Sequence, residues 1–334
     1  MQALLNAETI ISDDLSPSQF SDLCLEIFRY QFSQNPIYRS WLTNLSVHPD
    51  QVKAIEDIPF LPIELFKRHS VLCGGSSAQD IVFTSSGTSG SVVSRHIVKD
   101  ISLYQKSFTR GFERVYGQAD DYCILALLPS YLERKDSSLV FMFDELIRQS
   151  RHPYSGFFLN DTADLLRKLK ALNSGAQKVI LLGVSYALLD LCEEGLKLGP
   201  NIIVMETGGM KGKRKEMLKE ELHQVLKKGL GTEQVHSEYG MTELLSQAYS
   251  TGSSQFVSPP WMKFLIREVE DPLSIRKDLK GGGINVIDLA NLHSCSFIAT
   301  QDLGRLNEKG ELELLGRFDN SDTRGCNLMY SREY

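Results

Sequence analysis

The sequence predicts an α/β fold, with mostly parallel sheets and flanking helices followed by a β-rich C-terminal part. Three observations predict it. Short apolar runs at residues 122–128, 178–184 and 201–205 alternate with helix-like stretches, the pattern of a sheet buried on both faces. Beyond about residue 245 the helices thin out and short strands joined by Gly and Pro turns take over. The 334 residues are 42 % apolar, so folding can bury roughly 75 % of the unfolded chain's surface without a metal or disulfide staple.

Residues 17–34 read as a helix, with Leu23, Leu25, Ile27, Phe28 and Phe32 as its apolar positions. Ser16 is placed to cap it, Pro17 stands at the first helical position and Gln19 completes a capping box. Segment 58–66 is extended and proline-punctuated, so no helix is expected to begin before Pro62. A strand at 79–83 runs into the loop Thr84-Ser85-Ser86-Gly87-Thr88-Ser89-Gly90. Helix 101–116 leads to strand 122–128, helix 137–149 to strand 156–159, and helix 161–172, opened by Asp161 or Thr162, to strand 178–184. Helix 185–197 leads to strand 201–205, and a charged helix at 211–229 to a strand near 234–238. The tail offers strands near 262–268, 283–289, 295–300 and 311–315, with Gly281-Gly282-Gly283 the clearest turn. Three parts follow: an N-terminal helical segment, 1–78, packed on the core; a doubly wound core, 79–245; and a β-rich part, 246–334.

Acidic residues outnumber basic ones, 42 against 36, for a net charge of −6, which argues against a chain that coats nucleic acid or an anionic membrane. No run approaches the roughly 18 to 20 apolar residues of a membrane span. The first basic residue is Arg29, so a secretory signal is not expected. The six cysteines form no C-x-x-C pair, which points to reduced thiols in a cytoplasmic protein.

Five short segments carry chemistry. The loop 84–90 crowds five hydroxyls and two glycines behind a strand, a phosphate cradle without the lysine of a Walker A loop. Glu206-Thr207-Gly208-Gly209-Met210 ends a strand, where ligands of open α/β sheets sit, and its glycines admit a flat ring. Ser237-Glu238-Tyr239-Gly240-Met241-Thr242-Glu243 sets a hydroxyl beside a carboxylate, suited to a phosphate oxygen with Mg²⁺. In Thr300-Gln301-Asp302-Leu303-Gly304-Arg305 and Leu315-Gly316-Arg317-Phe318-Asp319-Asn320, an aspartate and an arginine suit ribose hydroxyls. Singly, each segment reads equally well as a surface loop, a tight turn or a helix start, and the last two as hairpin turns.

Together and in this order the five resemble the signature set of the adenylate-forming superfamily, over residues 80–325. That superfamily usually carries roughly a hundred further residues as a mobile lid with a carboxylate-activating lysine; this sequence ends at Tyr334, from which the lid is expected to be absent. Length, missing lid and Cys326 near the end are similar to the acyl-protein synthetase family (LuxE type), the fatty-acid-activating subunit of the bacterial luminescence reductase complex. Leu128-Pro129-Ser130-Tyr131-Leu132-Glu133-Arg134 followed by Ser137-Ser138 also looks typical of it.

The resemblance implies an ATP- and Mg²⁺-dependent ligase that makes acyl-AMP from a fatty carboxylic acid. The acyl group then passes to its own Cys326 as a thioester, for hand-over to a reductase partner. Thr84, Ser85, Ser86, Gly87, Thr88, Ser89 and Gly90 would hold pyrophosphate, Thr242 the α-phosphate and Glu243 the magnesium. Gly208, Gly209 and Met210 would sandwich adenine with Tyr239 and Gly240, while Asp302 and Arg317 fix the ribose. The same resemblance makes 79–245 the nucleotide-binding core and gives the β-rich part, 246–334, a truncated hinge ending in an acyl-acceptor tail. A thiolate attacks mixed anhydrides readily, and Arg324 or Arg317 is placed to favour one at Cys326. The other five cysteines read as small apolar residues, with Cys73 beside glycines and exposed; His96 and His236 read as satisfied core or surface histidines. Two alternatives stay open: an acyl-CoA ligase of the aryl-acetate type with its lid in trans, and a non-catalytic nucleotide-binding scaffold.

Overall fold

The computed structural model describes residues 5–86, 92–129, 133–208, 214, 217–278 and 280–318. Its larger α/β layer is a sheet in the order Gly156–Phe157, Tyr122–Leu127, Lys178–Val184, Ile202–Thr207 and Val235–Tyr239, all parallel. Ala248–Ser250 is antiparallel on the far edge. The first strand in sequence is flanked by the second and the third, so the winding reverses between Tyr122–Leu127 and Lys178–Val184. In sheets of this order ligands sit beyond the carboxyl ends at the reversal. Tyr122–Leu127 is buried at every position and Lys178–Val184 at all but the first, because helices cover both faces and neither meets water.

The helices follow the sequence signals. Ser16 and Gln19 form the capping box of Pro17–Gln34, Asp100 caps Ile101–Tyr116 and Asp161 caps Thr162–Leu172. Ile101–Tyr116 buries Leu103, Tyr104, Ser107, Phe108, Gly111 and Phe112, the three- and four-residue spacing of one helical stripe.

Several expected boundaries move. The helix expected at 185–197 ends at Glu193, with Gly195 in the left-handed region. The charged helix expected at 211–229 begins only at Lys219, because Leu218 before it is extended. Segment 300–305, expected to turn, lies inside the ten-residue strand Phe297–Leu306, and Arg317 ends the neighbouring strand Leu312–Arg317. Gly282 and Gly283 are not a turn either. They open strand Gly282–Asp288, and a Cβ at Gly283 would fall on the guanidinium of Arg267, a side chain only 8 % exposed.

The β-rich part is an antiparallel sheet ordered Gln255–Phe256, Leu312–Arg317, Phe297–Leu306, Gly282–Asp288 and Met262–Arg267. The proline segment supplies Leu61–Pro62, which pairs in parallel with Phe297–Leu306 through Leu61 and Ile298. Contacts thus cross from the first 78 residues into the last sheet. The fully buried Gln31 deepens them: its amide donates to Asn291 O, Leu292 O and Ser296 Oγ at 3.1, 2.9 and 3.1 Å, and its Oε1 accepts from Ser296 N at 3.0 Å. Asn35 Nδ2 adds a bond of 3.0 Å to Ser294 O. The two sheets meet at Asp288, whose carboxylate accepts from Leu245 N, Ser246 N and Ser246 Oγ at 2.7, 3.0 and 2.6 Å.

Candidate active site at the carboxyl edge of the parallel sheet

Strand Val235–Tyr239 delivers the loop that bears Thr242 and Glu243 to the carboxyl edge. Gly240 follows directly, and a Cβ there would fall on the Glu238 carboxylate, so a larger residue would require that side chain to move. Asp288, fixed on the second sheet, gathers the N–H groups of Leu245 and Ser246 and so pins the loop's far end. Burial pushes the Asp288 carboxyl up to about 6, against the pull of the Ser246 hydroxyl and the backbone donors.

The Glu243 carboxylate is 5 % exposed, and burial pushes it above the ordinary carboxylate range. The Ser94 hydroxyl hydrogen-bonds it, and the charges of Lys67 and Arg317 act on it. Ser94 in turn belongs to the stem of the 84–90 loop: Ser85 N donates to Ser94 O at 3.1 Å, and Ser94 N to Ser85 Oγ at 2.9 Å. The stem and Glu243 therefore share one wall.

Thr84 is held by Asp136. Its N–H donates to Asp136 O at 2.7 Å and its hydroxyl to Asp136 Oδ2, while Arg134 Nε bonds Asp136 Oδ1 at 2.9 Å. The hydroxyl expected to hold phosphate is thus engaged by a carboxylate. Ser85 lends its oxygen to the stem and Ser86 is exposed. Gly87, Thr88, Ser89 and Gly90 lie outside the described residues, as do Ser130, Tyr131 and Leu132 of the 128–134 segment.

On the second sheet, Asp302 and Arg317 are register partners on adjacent strands. Arg317 Nε lies 3.2 Å from Asp302 Oδ1, and the Tyr239 hydroxyl donates to Asp302 Oδ2 at 2.9 Å. Burial raises the Asp302 carboxyl above its usual range, opposed by Arg317, the Tyr239 bond and Arg267. Tyr239 itself is 6 % exposed, its ring edge-on to Phe256 and Phe264. The adenine sandwich expected of Tyr239 includes Gly209 and Met210, which lie outside the described residues; the tyrosine's hydroxyl stands beneath Asp302. Gly208 has φ +67 and its carbonyl accepts from Ser185 Oγ at 2.8 Å; Gly209 and Met210 lie outside the described residues.

Sequence reasoning missed a polar cluster behind this edge. Glu206 is 3 % exposed and pairs with Lys219 Nζ at 2.6 Å, with His223 Nε2 3.4 Å away. Burial pushes the Glu206 carboxyl up, but Lys219, His223 and Ser237 more than offset it and hold it at about 2. Its neighbour Glu238 accepts from the Thr207 hydroxyl, and burial together with the negative charge of Glu206 pushes it up to about 7. Two buried acids on adjacent strands are thereby driven apart, one ionised and one poised near neutrality. A charged residue within a parallel strand was the available signal.

Cys326 lies outside the described residues. The other five cysteines are free, and burial pushes every one of their thiols up, Cys73 to about 12 and Cys123 to about 11. Cys73, expected to be exposed, is 3 % exposed, with its thiol facing Leu292 O and Ser294 O. His236 faces the Tyr116 hydroxyl at 3.1 Å, the satisfied role expected of it. Among the described residues no three His, Cys, Asp or Glu side chains gather as a metal site, and no helix is long and apolar enough to cross a membrane.

Comparison with known proteins bears on this geometry. Residues 4–334 match the family model described as acyl-protein synthetase, LuxE. A long-chain-fatty-acid–luciferin-component ligase of Vibrio harveyi is 23 % identical over 331 residues, covering 92 % of this chain and 86 % of that protein. Among solved structures, 2-hydroxyisobutyryl-CoA ligase in complex with 2-HIB-AMP superposes with a TM-score of 0.68 at 14 % identity, over 90 % of this chain and 68 % of that one. ATP-bound MatB from Rhodopseudomonas palustris gives 0.54 at 18 % identity, covering 73 % of this chain. The matched part is 50 % of the MatB chain. The fold is that of adenylate-forming enzymes.

Proposed function

The chain belongs to the LuxE acyl-protein synthetase family, and from that membership we propose that it activates a fatty carboxylic acid with ATP and takes the acyl group onto its own Cys326. In the first step a carboxylate oxygen attacks the α-phosphorus, the bond to the bridging oxygen breaks, and pyrophosphate leaves. In the second, the Cys326 thiolate attacks the acyl carbon of the mixed anhydride, AMP departs with the electron pair, and a thioester remains for a reductase partner.

One observation carries this reading: the Ser85–Ser94 stem and Glu243 lie together at the carboxyl edge of the parallel sheet, and the Tyr239 hydroxyl at that edge bonds the Asp302–Arg317 pair of the second sheet. That edge is where an open α/β sheet receives its ligand. Thr242 would meet the α-phosphate. The hydroxyls and N–H groups of 85–90 would receive pyrophosphate, with Thr84 bracing the loop through Asp136. Asp302 and Arg317 would take the ribose hydroxyls, beside an adenine received by 208–210 and Gly240. Catalysis would rest on positioning and charge neutralisation, because transfer of the adenylyl group to an already ionised carboxylate needs no protein acid or base.

The donor set fits magnesium. Glu243 offers a single buried carboxylate, its charge raised in energy by burial, and Mg²⁺ takes one or two carboxylates with the nucleotide's phosphates supplying further oxygens. When bound, the ion would neutralise charge on the phosphates. The same reading places the chain in the cytoplasm. The five described thiols, all held protonated, support an acceptor elsewhere in the chain. Acid-dependent ATP–pyrophosphate exchange tests the first step: exchange that requires a fatty acid supports it, and exchange absent from all acids contradicts it.

A further inference from the structure

We propose that His96 is a positioning residue for adenylation, its ring fixing the backbone of Thr242 and Glu243 against the stem of the 84–90 loop. The inference rests on the functional reading of that loop given above. His96 lies on strand Arg95–Val98, opposite Phe83 on the strand that enters the loop. It is fully buried, edge-on to Phe66 at 5.7 Å.

Both ring nitrogens face oxygen acceptors. Nδ1 lies 2.8 Å from the carbonyl oxygen of Thr242, and Nε2 lies 3.0 Å from Asn291 Oδ1. Asn291 Nδ2 donates to the carbonyl oxygen of Glu243 at 2.7 Å. The histidine and its asparagine thus reach two consecutive carbonyls, those of the two residues proposed above to meet phosphate and metal. Between them they join three elements far apart in sequence: the loop stem, the 241–246 loop and the turn Leu289–Asn291.

The chemistry selects which contact matters. Burial pushes the ring down to about 4, so near neutrality it carries one proton, and one proton serves one acceptor. The shorter contact, Nδ1–H to the Thr242 carbonyl, is the one that fixes the loop; Asn291 already serves Glu243 through its own amide. Asparagine places an amide nitrogen near the position of Nδ1, glutamine reaches the position of Nε2, and phenylalanine keeps the volume with neither.

The test is ATP–pyrophosphate exchange with a fatty acid, on the full chain, for wild type, His96→Asn, His96→Gln and His96→Phe. Displacing reacting groups by about 1 Å costs about a hundredfold, so kcat should fall by about that factor in His96→Gln and His96→Phe, while His96→Asn stays within about fivefold. The ATP KM should change less than about threefold in all of them, since ground-state contacts are kept. A filler role would instead rank phenylalanine and glutamine above asparagine. That order, or equal kcat in all variants, overturns the proposal. If His96→Phe does not fold, the order of asparagine and glutamine decides. A wild type without exchange fails the functional reading instead, a result distinct from failure here.

Discussion

Asp302 and Arg317 face each other in register on adjacent strands, with 3.2 Å between Oδ1 and Nε, and the Tyr239 hydroxyl closes on the other carboxylate oxygen at 2.9 Å. The aspartate is 15 % exposed and the arginine 71 %, so the carboxylate side of the pair is shielded and its guanidinium side is open. Exposed partners add little stability to such a pair, and the role proposed for it is ribose recognition.

Asp302→Asn should therefore raise the KM for ATP about tenfold or more while leaving the KM for pyrophosphate unchanged. A charge-assisted hydrogen bond is worth about 1.5–3 kcal/mol, enough for that factor. Initial rates of exchange at varied ATP and varied pyrophosphate measure it, and an equal rise in both constants would remove the ribose role.

Glu243→Gln removes the carboxylate charge with its shape retained. Exchange should fall by about a hundredfold or more, as when an electrostatic partner of the transition state is lost. Excess magnesium should recover part of that loss. Unchanged exchange would exclude Glu243 as the metal's carboxylate.

Glu238 gives a pH signature. Its carboxyl is raised from 4.5 to about 7 by burial and by Glu206, so the folded state holds a proton that the unfolded state has released across that window. Stability from this group is full below about pH 4.5 and is lost as pH rises towards about 7. Glu238→Gln cannot titrate, so denaturant unfolding should show its stability gaining on wild type between about pH 5 and pH 7. A difference that stays constant over that range would contradict the buried neutral acid.

Gln31 joins the first long helix to the second sheet through four hydrogen bonds. Gln31→Leu should leave buried carbonyls unsatisfied and cost about 1–3 kcal/mol, read from urea unfolding midpoints. A loss within a few tenths would show that the joint contributes little.

Local signals were legible and long-range ones were not. Strand Lys178–Val184 and helix Ile101–Tyr116 fall where periodicity puts them, because burial on two faces and a capped apolar stripe are properties of consecutive residues. The motif around Tyr239 and Glu243 was readable because its chemistry lies within seven residues. Gln31, His96 and Arg267 act on partners brought together only by folding; Gln31 meets Ser296 across 265 positions. No spacing rule reaches that far. Segment 300–305 misled for a related reason: its glycine and aspartate suggest a turn, yet pairing with Leu312–Arg317 extends it, with a bulge at Leu303 and Gly304 taking up the irregularity.

The account stands most directly on the covalent acyl-enzyme. Intact-mass spectrometry after incubation with ATP, Mg²⁺ and a mixture of fatty acids should show one added acyl group, released by neutral hydroxylamine and mapping to Cys326. Cys326→Ser should keep acid-dependent exchange and lose that mass. A hydroxylamine-labile acyl group that persists in Cys326→Ser, or one that maps to another residue, would contradict it.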